Sequence, residues 1–187
     1  MKDENHERLM LLDNLKGYRV SKGEPDIRGW DVVASDKRKI GEVHELVIDT
    51  IDLKVRYLDV EVDEKILDAK GSSHVLVPVA GAKLDDDDNR VYLDRVSSEE
   101  LKALPAYDHR SITRDFETNI ASWFRRATGE TEPTPTPAPA PAADTPSPQR
   151  DDFYQQEHLS DRKFWGERRK GRESQTYVTP DEKRDRP

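Results

Sequence analysis

The clearest pattern in the chain is a two-residue alternation that runs, breaks once and resumes. Residues 26–62 read DIRGWDVVASDKRKIGEVHELVIDTIDLKVRYLDVEV. Trp30, Asp31, Val32, Val33 and Ala34 make a short first strand, and Ser35, Asp36, Lys37, Arg38 and Lys39 a polar turn. Residues 40–50 form a second strand whose pattern carries a fault. Val43 lies on one parity, Leu46 and Ile48 on the other. Successive strand residues face opposite sides, so an unbroken ladder cannot turn all three inward. One extra residue near His44 and Glu45, a β-bulge, restores them to one face and bends the strand. In residues 55–62, Leu58, Val60 and Val62 share a face, with Asp59 and Glu61 on the other.

The pattern continues through residues 63–73, a polar loop ending in Gly71, Ser72 and Ser73, to a fourth strand, residues 74–79. Pro78 has no N–H for a ladder and belongs at an edge or a strand end. Residues 82–85 and 90–93 flank the turn Asp86-Asp87-Asp88-Asn89 and predict a hairpin. Ser97 and Glu100 have capping-box spacing, which starts a short helix that stops before Pro105. Six short strands over about 65 residues predict a small all-β barrel. A domain of that size buries only about 60% of its unfolded surface, so its stability is modest.

Two flanking segments carry a helical period instead. Leu9, Leu12 and Leu15 predict about two turns over residues 7–15, a lid over one end of the barrel. Ile112, Phe116, Ile120, Trp123, Phe124 and Ala127 share one face of a longer amphipathic helix within residues 109–129, with Arg125 and Arg126 at its C-terminal end and Gly129 as a stop. Packing of that face on the barrel is the favoured reading; a homodimer or membrane-surface contact is the alternative. Beyond it, residues 132–149 alternate proline with Ala and Thr. They predict an extended, protease-sensitive spacer on the order of 50 Å long.

Composition sharpens this division. Only 33% of the chain is hydrophobic and 37% is charged, so one compact domain with disordered flanks is expected. The expected partition is a lead-in over residues 1–23, a barrel domain over 24–108, the helix over 109–129, a linker over 130–149 and a disordered tail over 150–187. The net charge of -8 is uneven. Residues 24–110 hold 21 acidic and 13 basic side chains, whereas residues 162–172 hold six basic and one acidic. An acidic body with a basic distal run predicts two surfaces with different partners, or one that meets the other. The tail also carries Phe153, Tyr154, Phe164 and Trp165 beside Arg168, Arg169, Lys170 and Arg172. These eight are the candidate contacts of a segment that orders on binding.

Few of the residue patterns that chemistry requires occur in the chain. With no cysteine, disulfides, thiolate metal sites and cysteine nucleophiles are excluded together. The histidines do not cluster, and His44-Glu45 lacks the second histidine of a zincin helix, position 48 being Ile48. Asp85, Asp86, Asp87 and Asp88 lack the glycine and distal glutamate of a calcium loop and read as a solvated turn. There is no nucleophile elbow and no phosphate loop. No catalytic, cofactor-binding or metal-ligating residue is therefore assigned. The first twelve residues do not have the order of a secretory signal, and no run nears the roughly 18 apolar residues of a membrane span. A cytoplasmic protein is expected.

The run Asp26-Ile27-Arg28-Gly29-Trp30-Asp31-Val32, then Ile40-Gly41-Glu42-Val43 and Val55-Arg56-Tyr57-Leu58-Asp59-Val60, resembles the PRC-barrel family. His74-Val75-Leu76-Val77-Pro78, Arg90-Val91-Tyr92-Leu93 and Leu104-Pro105-Ala106-Tyr107-Asp108 continue the likeness, which covers roughly residues 24–108. The resemblance implies a mainly β fold, a small antiparallel PRC-type β-barrel, here with a C-terminal amphipathic helix and a disordered tail. It implies a domain that binds or organises macromolecules, with no shared catalytic residues. The family includes the cytoplasmic domain of the photosynthetic reaction-centre H subunit, a domain of the ribosome-maturation factor and stand-alone bacterial proteins. The chain is most similar to the last, since it shows neither the membrane helix of the first nor the preceding barrel of the second. The expected function is a non-catalytic adaptor with an unidentified protein partner, able to form a homo-oligomer. Nucleic-acid or ribosome association through the tail is the second reading, and a peripheral, H-subunit-like component of a photosynthetic electron-transfer complex the third.

Overall fold

The computed structural model describes residues 8–22, 24–66, 73–108, 112–129 and 178–180. Nine strands and one α-helix lie among them: β1 (Leu9–Leu11), β2 (Tyr18–Val20), β3 (Asp31–Ala34), β4 (Lys39–Asp49), β5 (Lys54–Val62), β6 (His74–Pro78), β7 (Lys83–Asp85), β8 (Arg90–Leu93), α1 (Arg114–Thr128) and β9 (Val178–Pro180). The fold is mainly β. Six of the strands fall in the stretch where alternation predicts six.

Seven strands make one sheet in the order β6-β5-β4-β3-β8-β7, with β1 added to β4. Its hydrogen-bonded path does not close on itself among the described residues; the outer edge of β6 is met by a bridge from Val75 to Ala106 and by the Tyr107 N–H donating to the His74 carbonyl at 2.7 Å. The expectation of purely antiparallel pairing is corrected at one place. β3 and β8 run parallel, from Asp31 opposite Arg90 to Ala34 opposite Leu93. A parallel pair needs a long crossover, and here the connection comprises all of β4 to β7.

β4 is the spine of the sheet. One edge pairs with β5 along its length; the other is shared, by β3 at its start and β1 at its end. The predicted bulge is present: Val43 pairs with Val60 and Glu45 with Asp59, which leaves His44 as the extra residue. Val43, Leu46 and Ile48 are all buried. Two further irregularities carry no forecast. Arg56 is extra on β5, between the Val47–Tyr57 and Ile48–Val55 pairs, and Ile40 is extra on β4 opposite β3. Next to Ile40, Gly41 lies so close to β5 that a Cβ there would stand 1.9 Å from the Glu61 carbonyl oxygen.

The helix expected over residues 7–15 is replaced by β1 and one 3-10 turn, Leu12–Asn14. The free edge of β4 claims the segment: Leu9 pairs with Asp49, and Thr50 N–H donates to the Arg8 carbonyl at 2.8 Å. Leu9 and Leu12 still enter the core, so the leucine spacing marks burial correctly but not backbone type. The Ser97–Glu100 box forms with both reciprocal bonds, Ser97 N–H to Glu100 Oε2 at 2.8 Å and Glu100 N–H to Ser97 Oγ at 3.3 Å, and opens a 3-10 turn, Glu100–Ala103.

α1 is built as its sequence directs. Thr113 Oγ1 accepts from the Phe116 N–H at 3.2 Å, and Gly129 ends the helix at φ 69° in the left-handed region that glycine enters without penalty. Ile120 and Phe124 are buried in the core, and Ile112, Phe116, Trp123 and Ala127 pack against it. The apolar face therefore lies on the sheet, as the favoured reading holds. Glu117 is carried under with it; its Oε1 accepts from the Tyr57 hydroxyl at 3.0 Å and its Oε2 lies 3.3 Å from Arg114 Nη1. No helix among the described residues is long and apolar enough to cross a membrane.

Candidate functional site

The eight tail contacts expected from sequence, Phe153, Tyr154, Phe164, Trp165, Arg168, Arg169, Lys170 and Arg172, lie outside the described residues, as does the spacer over residues 132–149. What the structure places from the tail is β9, paired antiparallel with β2 so that Val178 faces Val20 and Pro180 faces Tyr18. Beside β2 runs a groove lined by Leu12, Leu15, Tyr18, Arg19 and Arg28.

Inside the sheet, three acidic groups on β4 and β5 are buried, and each is answered differently. Asp49 is fully buried, and its Oδ2 accepts from Arg8 Nη2 at 3.0 Å and Arg56 Nη2 at 3.1 Å. Its Oδ1 accepts from the Ile51 N–H at 3.0 Å. Burial alone would raise this carboxyl, but the Arg8 bond, the Arg56 charge and the Ile51 N–H outweigh it and hold the group below the usual carboxylate range. The bulge at Arg56 is what sets that guanidinium beside Asp49, with Asp52 Oδ2 2.7 Å from it. Glu45 goes the other way. Burial pushes its carboxyl up, offset only in part by the Leu46 N–H at 2.8 Å and by Arg28, whose Nη1 lies 3.5 Å away.

The third is Asp59, fully buried, whose Oδ1 lies 2.9 Å from His74 Nδ1. This pair leads to the surface. In the β5–β6 ladder His74 stands directly opposite Glu61 and diagonal to Asp59. In the β4–β5 ladder the bulge leaves His44 beside the Glu45–Asp59 pair. The two histidine rings meet edge to face with centroids 4.8 Å apart. Donor atoms of His44, Glu61 and His74 all lie within 4.8 Å of one another, two of the residues exposed and His74 part-buried. Thirty positions separate the histidines in sequence, and three adjacent strands bring them together. The expectation that the histidines do not cluster is thus corrected: His44 and His74 are far apart in sequence but adjacent in space. The bulge at His44 was legible, but the register of β6 was not.

The Asp85–Asp88 stretch is the turn of the β7–β8 hairpin, as expected. Asp85 Oδ1 accepts from the Asp87 N–H at 3.2 Å, Asp88 pairs with Arg90 at 3.0 Å, and Lys83 pairs with Asp94. These local bonds are those of a turn. Among known proteins, no curated sequence matches the chain. The family model of the PRC-barrel domain matches residues 24–100, the stretch that carries β3 to β8.

Proposed function

We propose, from the premise that residues 24–100 are a PRC-barrel domain, that this protein is a non-catalytic adaptor. In this reading residues 24–108 form a barrel that binds a protein partner in the cytoplasm, and the tail, residues 150–187, supplies a second contact. The family match carries the reading, because the likeness to that family implies a domain that binds or organises macromolecules. The internal chemistry agrees with it. Asp49 and Glu117 are held by arginines and a tyrosine in arrangements that tie β1, β5 and α1 to the sheet. The β2–β9 pairing supports a working tail, since it pairs residues near the far end of the chain with β2; the basic run, residues 162–172, precedes β9 in sequence.

That basic run is also the specific observation behind a nucleic-acid reading. A pull-down from native cells separates the two, using the full chain, the chain cut after residue 149, and the full chain with Phe164 and Trp165 changed to Ala. The adaptor reading expects a protein partner retained by all three, more weakly by the last two and indifferently to nuclease. Retention of only nuclease-sensitive, salt-sensitive material by the full chain would establish the nucleic-acid reading instead. Co-purification with a membrane electron-transfer complex would point to the peripheral, H-subunit-like role.

A further inference from the structure

We propose that His44, Glu61 and His74 form a binding site for a divalent transition-metal ion of the zinc class, with Asp59 as the residue that orients His74. The inference is independent of the adaptor reading. It stands on donor chemistry, spacing and support. Two imidazoles and one carboxylate are the ligand set that zinc and its first-row neighbours take, whereas magnesium and calcium prefer oxygen alone. The donors come from three neighbouring strands, β4, β5 and β6, whose spacing is fixed by ladder hydrogen bonds.

Ligating nitrogens around zinc stand about 3.4 Å apart, given Zn–N bonds of roughly 2.0–2.1 Å. The donor atoms lie within 4.8 Å of one another, so rotation of the exposed His44 and Glu61 side chains closes the difference without moving the backbone. His74 needs no such search. Its Nδ1 lies 2.9 Å from Asp59 Oδ1; with Asp59 as a carboxylate, which only accepts, the proton of that bond sits on Nδ1 and Nε2 is the nitrogen left to ligate. A buried carboxylate behind a ligating histidine is the usual support of zinc sites, and it adds negative charge close to the cation. The bulge supplies the remaining requirement, because it adds His44 to β4 at the level of Asp59. Three protein ligands leave one coordination position for water or for a side chain of another molecule.

The test uses the untagged full chain, stripped with chelator and titrated with zinc sulfate by calorimetry, with magnesium chloride as the control. One zinc per chain is expected, with a rise of several degrees in the thermal midpoint at saturation and no response to magnesium. His44→Ala and Glu61→Gln alter exposed side chains, so both should keep the metal-free midpoint and lose at least tenfold in affinity. Asp59→Asn should lose about 10- to 100-fold while keeping the one-to-one stoichiometry. Cobalt substituted for zinc gives a d–d spectrum, and that spectrum should vanish with His44→Ala and weaken with Asp59→Asn. Zinc binding of unchanged affinity in a His44→Ala/Glu61→Gln double variant would place the metal elsewhere and overturn the proposal. So would a full chain that takes up no zinc.

Discussion

Asp49 and Glu45 lie four residues apart on β4, yet their environments push their acidities in opposite directions. The difference lies in the donors: two guanidiniums and two backbone N–H groups, of Ile51 and Asp52, converge on Asp49, while Glu45 has one N–H and a more distant arginine. Asp49→Asn should cost about 3 kcal/mol near neutral pH, because it breaks a buried ion pair around Arg56. Since the folded Asp49 is more acidic than its ordinary 3.8, its contribution is complete above that value and is lost as the pH falls through the lower folded one. Urea titrations should therefore show the gap between wild type and Asp49→Asn closing in strong acid. Glu45 has the reverse sign: folding takes up a proton between its ordinary 4.5 and its raised folded value, so its contribution declines as the pH rises through that window. Glu45→Gln should hold or slightly raise stability near neutral pH. Gly41 is the other decisive residue. Gly41→Ala drives a methyl group into the β5 backbone, not into a side chain that can turn away, and should cost about 3 kcal/mol in the same titration.

At the scale of elements, what could be read from the chain follows from what alternation encodes. The break between Val43 and Leu46 announced the bulge at His44 because one face there must be buried. A similar break between Val55 and Leu58 marks the bulge at Arg56, but residues 55–60 are buried on both faces, so no solvent side contrasts with it. Periodicity also says nothing of partners. It could not show that β3 pairs with β8 in parallel, or that β4 has an edge that turns Leu9–Leu11 into a strand. The His44–Glu61–His74 cluster was hidden for the same reason. α1 was legible almost whole, since its face, caps and end charges are all local. Its docking depends on Phe124, which is buried in the core, whose ring lies 3.5 Å from where a Cβ on Gly81 would stand and which meets Trp123 edge to face. Phe124→Ala should lose about 3 kcal/mol of unfolding free energy. Arg126→Ala, on the exposed side of the same turn, should stay within about 0.5 kcal/mol of wild type.

At the scale of the whole molecule, the arrangement turns on one short pairing. β2 and β9 align three residues each, and residues 130–177 lie between α1 and β9 in sequence. A two-stranded ladder of that length is marginal by itself. Closing a 48-residue stretch adds an entropic cost, although one that grows only slowly with length. Pro180 contributes no N–H to the ladder, which weakens it further. The pairing should therefore open readily. Hydrogen exchange measures this directly. The Tyr18–Val20 amides should be protected far less than those of β4 and β5, and cutting the chain after residue 175 should speed their exchange about tenfold while leaving β4 and β5 unchanged. If the β2 amides are protected as strongly as the central strands, the far end of the tail is a fixed part of the fold. If the cut leaves their exchange as it was, β9 does not hold β2 in solution.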